Sequence, residues 1–312
     1  MHMECSHMQS ARDYSDDLIA QLRGALAQIA LGDDVVVVVV GSLARREASS
    51  QSDLDYFVVH QGDVAPEGIF DSINEAISAL GLRPPSSSGA FAISVSQDKF
   101  LSTIGGTEES NAELTRRMLF LLESDWIVGE SEYESLMNSV IQRYIRDKIT
   151  QHQLARFFLN DLIRYYRTIC VDFEYKTADG GKSWGDRNIK LMFSRKLLYF
   201  SGVLAAAETA QSACDFKRSE LTRLLRLTPI DRVVDVCGVD AARLLKRYDK
   251  FIGWMADGDV RDLLKGTTAE REDQSDKFRE MKNAGHHFSW ELESLLHRRY
   301  APTHSIYQAL LL

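Results

Sequence analysis

The stretch Val38-Val39-Val40-Gly41-Ser42-Leu43-Ala44-Arg45-Arg46-Glu47-Ala48-Ser49-Ser50-Gln51-Ser52-Asp53-Leu54-Asp55-Tyr56-Phe57-Val58-Val59 decides the fold. Upstream it belongs to an unbroken valine run, Val35–Val40. β-Branched side chains are stiff at χ1 and favour pleated backbone, so the run reads as a strand buried on both faces. It ends at Gly41-Ser42, where glycine permits a sharp turn and the close approach of a phosphate to the backbone. A helix is expected next, its leading amides open to an anion and the Ser42 hydroxyl a further donor. The polar run Glu47–Ser52 then returns the chain to a second strand, Asp55–His60, opened by Asp53-Leu54-Asp55. Carboxylates two apart on extended backbone share a face, about 6–7 Å apart at a rise of ~3.3 Å per residue. Two like charges so placed are costly without a cation between them, and hard oxygen ligands beside phosphates are how Mg²⁺ is usually held.

Working outward, Leu18, Leu22, Ala25 and Ile29 are spaced for one face of a helix over Ser15–Ala30, with Ser15 as its N-cap. Ile69–Leu80 reads as a second helix and Ala90–Ser96 alternates like a third strand. A helix over Asn111–Leu122 leads to the short apolar stretch Trp126–Val128. Beyond Glu130 helical patterns succeed one another: Tyr133–Lys148, His152–Phe173, Arg187–Ala207, Ser219–Leu227, Ala241–Met255 and Gln274–Arg298. The reading is an α+β chain. Residues 11–142 form a small mixed sheet with flanking helices, and residues 143–312 an all-α bundle. Residues 1–10 lack periodicity and read as a disordered start or an expression remnant.

With 312 residues, 45% hydrophobic and 26% charged, the composition excludes disordered, collagen-like and disulfide-scaffold classes and leaves room for two cores. Cys5, Cys170, Cys214 and Cys237 lie too far apart for a staple or a zinc knuckle. The valine run is far short of the ~20 apolar residues a membrane helix needs, and no charged-then-apolar leader precedes it. A cytoplasmic protein without a membrane partner is expected. The net charge of −8 divides unevenly: residues 1–150 carry 23 acidic and 11 basic side chains, residues 151–312 carry 22 and 26. An acidic part suited to cations thus precedes a mildly basic part suited to phosphates.

Gly41-Ser42, a spacer of about ten residues, and Asp53-x-Asp55 at the head of the next strand resemble the signature of the nucleotidyltransferase superfamily with the DNA polymerase β fold. The string GSLARRE resembles the bacterial form of this loop, in which Arg-Gly-Glu is usual; Arg46 stands where that glycine would be. More loosely, Arg116–Glu134 resembles the segment after the catalytic core in PII-uridylyltransferase-like proteins. The resemblance implies an enzyme that uses Mg²⁺ (or Mn²⁺), held by Asp53 and Asp55, to move a nucleoside monophosphate from an NTP such as ATP to an acceptor, releasing pyrophosphate. Gly41, Ser42 and Arg45 would bind the nucleotide. A protein side chain, an antibiotic-like small molecule, a tRNA end or a second nucleotide are the candidate acceptors.

Active members add a third carboxylate on a later strand. Ser94 and Ser96 stand where an acid is expected here, and Asp98 follows as the catalytic candidate. Serines at those two positions are also what an inactive, nucleotide-binding regulatory module would carry, and that is the alternative reading. In the basic part, Lys182 leads into a helix on which Arg187, Lys190 and Ser194 recur at three- and four-residue spacing, opposite apolar Ile189, Met192, Phe193 and Leu197. This cationic stripe is a second nucleotide-binding candidate, against the alternative of a solvated face. Arg164 and Arg167 flank Tyr165-Tyr166, but the net acidity speaks against an extended nucleic-acid footprint.

Overall fold

The computed structural model describes residues 5–29, 34–62, 67–82, 93–102, 104–178 and 183–311, the side chains of 271–273 excepted. The chain forms two compact units. One holds Ala11–Ile149 together with Cys214–Thr228; the other holds Thr150–Ala213, the chain from Pro229 onward and the residues up to Ser10.

The first unit is built on a four-stranded sheet of order β3-β2-β1-β4. Strands β1 (Val35–Val40) and β2 (Asp55–His60) are antiparallel, with Val40 opposite Asp55 and Val35 opposite His60. Strand β4 (Ser124–Val128) runs antiparallel along the other side of β1, and β3 (Ser94–Ser96) runs parallel to β2. All six valines of β1 are buried, as a central strand covered on both faces requires. On one face, Val35, Val37, Val39, Leu54, Tyr56 and Val58 pack against Ile19, Leu22 and Leu26 of α1 (Ser6–Leu26) and Ile73 and Ile77 of α3 (Ile69–Ala79). The short α2 (Gly41–Ala44) follows β1. On the other face, Phe57 begins an aromatic series continued by Phe100 of α4 (Gln97–Ser102), Phe120 of α5 (Asn111–Leu122) and Tyr133 of α6 (Glu130–Tyr144), with centroids 5.2–6.2 Å apart.

Helix α1 begins at Ser6, well before the expected Ser15, because Ala11 and Ser15 extend its buried stripe. Ser15 is an interior helical residue rather than a cap: its hydroxyl donates to the Ala11 carbonyl and accepts the Ala48 amide. Of the expected third strand, Ser94–Ser96 is β3, while Ala90–Ala92 lies outside the described residues. Gly129, at φ +78, places its Cα where a Cβ would come 2.5 Å from the Val35 carbonyl oxygen, so the entry to α6 admits only glycine.

The second unit is helical. Its described elements include α7 (Arg156–Ala178), α8 (Trp184–Lys190), a π-turn (Leu191–Arg195) running into α9 (Lys196–Glu208), and, past α10 (Cys214–Leu225) of the first unit, α11 (Pro229–Cys237), α12 (Ala242–Ala256), α13 (Gly258–Gly266), α14 (Asp276–Arg299) and α15 (Ser305–Leu311). Its core centres on Phe193, 4.8 Å from Phe251 and 5.1 Å from Phe288. The expected helical stretch 143–312 is therefore not one body. In the first unit, Arg218 of α10 donates to the Ile145 carbonyl and pairs with Asp147, and Arg226 pairs with Glu134.

Candidate active site

Leu54 is buried in the core between the sheet and α1. Along extended backbone its neighbours Asp53 and Asp55 therefore project to the opposite side, as the alternation anticipates. Asp53 is exposed and Asp55 half-buried. The register sets Asp55 opposite Val40, immediately before Gly41. Gly41 has φ +74, and a Cβ built there would lie 3.3 Å from Asp55 Oδ2. The missing side chain thus leaves the Asp55 carboxylate beside bare backbone. This is the space in which a phosphate and a cation can meet a carboxylate. Two carboxylates plus substrate oxygens are an ordinary donor set for Mg²⁺, so the residues present fit that ion. The helix expected after Ser42 is only the four-residue α2. So short a turn has little macrodipole, and whatever holds an anion here is local backbone and hydroxyl.

The adjoining arginines have another role. Arg45 is buried, with Nε 2.6 Å from Glu47 Oε2 and Nη1 2.5 Å from Glu123 Oε2. Its guanidinium is committed to carboxylates, which corrects its expected place on the nucleotide. Arg46 adopts φ +61, the left-handed backbone that makes glycine usual at this position. Asp16 of α1 at 2.7 Å and Asp125 of β4 at 2.6 Å hold its side chain. Burial works against the Arg46 charge, but Asp125 and Asp16 outweigh it and keep the guanidinium above its ordinary range. Asp125 also binds Arg23, whose guanidinium lies 3.5 Å from the Trp126 ring centroid. Glu123 and Asp125 flank Ser124, which pairs with Val40, so they reach the turn after β1 from its other side. Two adjacent arginines facing two near-adjacent acids is a sequence-level signal that could have found this clamp.

Asp98 is not brought to the pair. Strands β2 and β3 are parallel and His60 pairs with Ser96, so Asp98 in α4 follows the far end of β2 from Asp55. That separation is about 17 Å along the strand at ~3.3 Å per residue. No group of three His, Cys, Asp or Glu suited to a metal occurs among the described residues.

A family described as nucleotidyltransferase domain matches residues 19–84, a span that runs from α1 through β1, Gly41-Ser42, Asp53-x-Asp55 and α3. This segment is a nucleotidyltransferase domain. Its chemistry is the transfer of a nucleoside monophosphate from an NTP. A search of curated proteins finds no match to the chain. No described helix is long and apolar enough to cross a membrane.

Outside the nucleotidyltransferase domain, the helical unit reshapes the expected cationic stripe. Lys182 lies outside the described residues. Ile189, Phe193 and Leu197 are fully buried and Met192 nearly so, as expected. The π-turn Leu191–Arg195 adds residues to one turn and shifts the helical phase. Ser194 is consequently turned inward, where its hydroxyl donates to the Lys190 carbonyl, and Arg195 takes the stripe position instead. Arg187 is held below its ordinary range by burial and by Arg195, against Asp186 and Asp172. Lys190 is likewise lowered by burial, Arg261 and Arg195, although it pairs with Asp186 at 2.8 Å. Four cations thus crowd together around two acids, and the sequence stripe missed Arg195 and Arg261. Trp184 packs between Phe173 and Phe278, at 6.4 and 5.6 Å, as part of the core.

Proposed function

We propose that the protein is a Mg²⁺-dependent (or Mn²⁺-dependent) enzyme that moves a nucleoside monophosphate from an NTP to an acceptor hydroxyl, with Asp53 and Asp55 as the metal ligands. The observation that carries this is the Asp55 carboxylate lying against Gly41, whose Cβ would stand 3.3 Å from Oδ2. Bound metal would neutralise the triphosphate and the departing pyrophosphate. Gly41 admits the phosphate to the backbone, and the Ser42 hydroxyl donates to one of its oxygens. Arg45 and Arg46 fix the turn that presents both. The acceptor oxygen bonds to the α-phosphorus as the bond to the bridging oxygen breaks. Pyrophosphate leaves with that electron pair and the hydroxyl proton passes to water.

Residues 11–142 supply this chemistry in our reading. The Arg187, Lys190, Arg195 and Arg261 cluster is in our reading an anion site of the helical unit. Like charges so gathered lower one another's proton affinity, a cost that a bound anion removes. The four cysteines, none in a disulfide, support a reducing, cytoplasmic setting. A second reading, a regulatory module that binds NTP without turnover, is favoured by the lack of a third described carboxylate beside Asp53 and Asp55. Incubation with each labelled NTP and Mg²⁺ or Mn²⁺ tests the two: pyrophosphate release abolished by Asp53→Ala supports the enzyme, and NTP binding without product supports the module. Failure to bind any NTP refutes both.

A further inference from the structure

Helix α15 (Ser305–Leu311) is held to the helical unit by a small set of contacts beside one histidine. Seven residues are too few for a helix to stand alone in water, so α15 persists only through its packing and its cap. It packs on α9 with Ile306 and Ala309 buried. The Tyr307 hydroxyl is shared between the Leu296 carbonyl at 3.2 Å and the Tyr300 carbonyl at 3.1 Å, and its ring stacks on His297 at 5.3 Å. Against these contacts stands the Ser305 hydroxyl, buried without a hydrogen-bond partner, which makes docking costly.

The cap is His304. Its Nδ1 accepts the Ile306 amide at 3.2 Å, the place that a Ser, Asp or Asn oxygen takes in most helices. A ring nitrogen that accepts carries no proton, so the neutral imidazole makes this cap and the imidazolium cannot. Protonation would also set a cation against the open amides of the first turn. Three groups face the ring. The Tyr300 ring, just past α14, lies 4.6 Å away, Glu208 at the end of α9 favours the imidazolium, and Arg299 at the end of α14 opposes it. Glu208 is already engaged, by Arg299 at 2.9 Å and by the Tyr300 hydroxyl at 2.6 Å. Cys237 of α11 also adjoins Arg299 and Glu208, its thiol pushed up to about 11 by burial. Burial, with Arg299 set against Glu208, holds His304 below its ordinary value of 6.5. The cap's contribution is therefore complete above about pH 6.5 and is lost as pH falls through the lower folded value.

We propose that α15 is an acid-released segment of the helical unit: neutral His304 caps and docks it, and protonation of His304 opens it and uncovers the part of α9 beneath. The device is independent of the nucleotidyl-transfer reading, because every group in it belongs to the helical unit.

The test is amide hydrogen exchange of the full chain, with wild type, His304→Asn and His304→Ala compared at the same pH so that intrinsic exchange cancels. Asparagine is a cap that does not titrate. Near neutral pH, wild type and His304→Asn should protect Ser305–Leu311 equally, and His304→Ala should exchange about fivefold faster, the loss of one cap. At about pH 5, below the ordinary histidine range, wild type should exchange about fivefold faster than His304→Asn over α15, with α12 unchanged between the two. Equal exchange of wild type and His304→Asn in acid would overturn the proposal. So would full protection in His304→Ala at neutral pH, or an acid-induced rise shared equally by α12. Histidine ¹⁵N shifts of the wild type give the same decision without a variant. The His304 Nδ1 should be free of a proton at neutral pH and gain one as the α15 amides lose protection. An Nδ1 already protonated at neutral pH, or one that gains its proton with α15 still protected, would overturn the assignment.

Discussion

Replacing Gly41 with alanine should harm both stability and catalysis, and the two can be separated by a matched control. At φ +74 an L-residue carries a left-handed strain of about 1–2 kcal/mol. The alanine recovers ~0.5 kcal/mol by restricting the unfolded chain, which leaves a net loss of about 1 kcal/mol in urea unfolding. Its Cβ would also sit 3.3 Å from Asp55 Oδ2, so the carboxylate must give by a few tenths of an ångström. Misplacement of a reacting group by ~1 Å costs on the order of 10²-fold, so a shift of this size should lower kcat/KM about tenfold. Gly62 is the control: its φ is +82, and a Cβ there meets nothing within 4 Å. Gly62→Ala should lose similar stability while leaving pyrophosphate release intact. A Gly41→Ala protein with wild-type kcat/KM, or a Gly62→Ala protein equally impaired, would refute the link between Gly41 and the Asp55 carboxylate.

Glu123→Gln strips the interior Arg45 of one of its two carboxylate partners, and chemical denaturation should show a loss of about 3 kcal/mol. At position 46 glycine should give a more stable protein than alanine by about 1 kcal/mol, because both lose the ion pairs but only alanine keeps the strain at φ +61, less what it gains by restricting the unfolded chain; equal stabilities would contradict this. The Ser110 backbone amide, with its hydroxyl and Lys99, draws Glu113 down to about 2 from an ordinary value near 4.5, so this carboxylate contributes stability that is complete above about pH 4.5 and lost as pH falls toward 2. Thermal melts of Glu113→Gln should therefore lie below wild type at pH 7 and converge with it at the acid end of that window.

Six valines followed by Gly41-Ser42 and an Asp-x-Asp two strands' length away were legible because each residue acts locally. β-Branching makes the strand, a left-handed φ demands the glycine, and alternation puts the carboxylates on one side. The helices Asn111–Leu122 and Ile69–Ala79 were equally readable from their spacing. What failed depended on distant parts of the chain. Arg45 looked like a phosphate ligand in its loop, and only the arrival of Glu123 in the fold shows where its charge is spent. Asp98 was judged by proximity in sequence to a strand, but the parallel pairing of β2 and β3 puts it at the wrong end. Ser194 was placed on a stripe by assuming constant helical phase, and one π-turn exchanged it for Arg195. Helix α11 is absent from the sequence reading for a different reason: it has nine residues, too few for a periodic pattern to stand out, although its opening Pro229 is a favourable first residue.

The central claim is that Asp53 and Asp55, set against Gly41, hold the metal on which nucleotidyl transfer depends. Its most direct measurement is pyrophosphate release from Mg-NTP as Mg²⁺ is titrated, in wild type and in Asp55→Asn. The isosteric amide preserves the fold and removes the charge. The account predicts a saturable Mg²⁺ dependence in wild type, no release after chelation by EDTA, and a fall of at least 10²-fold in Asp55→Asn, about 3 kcal/mol of transition-state stabilisation. Release from the Asp55→Asn protein at the wild-type rate and with the wild-type Mg²⁺ dependence would contradict it.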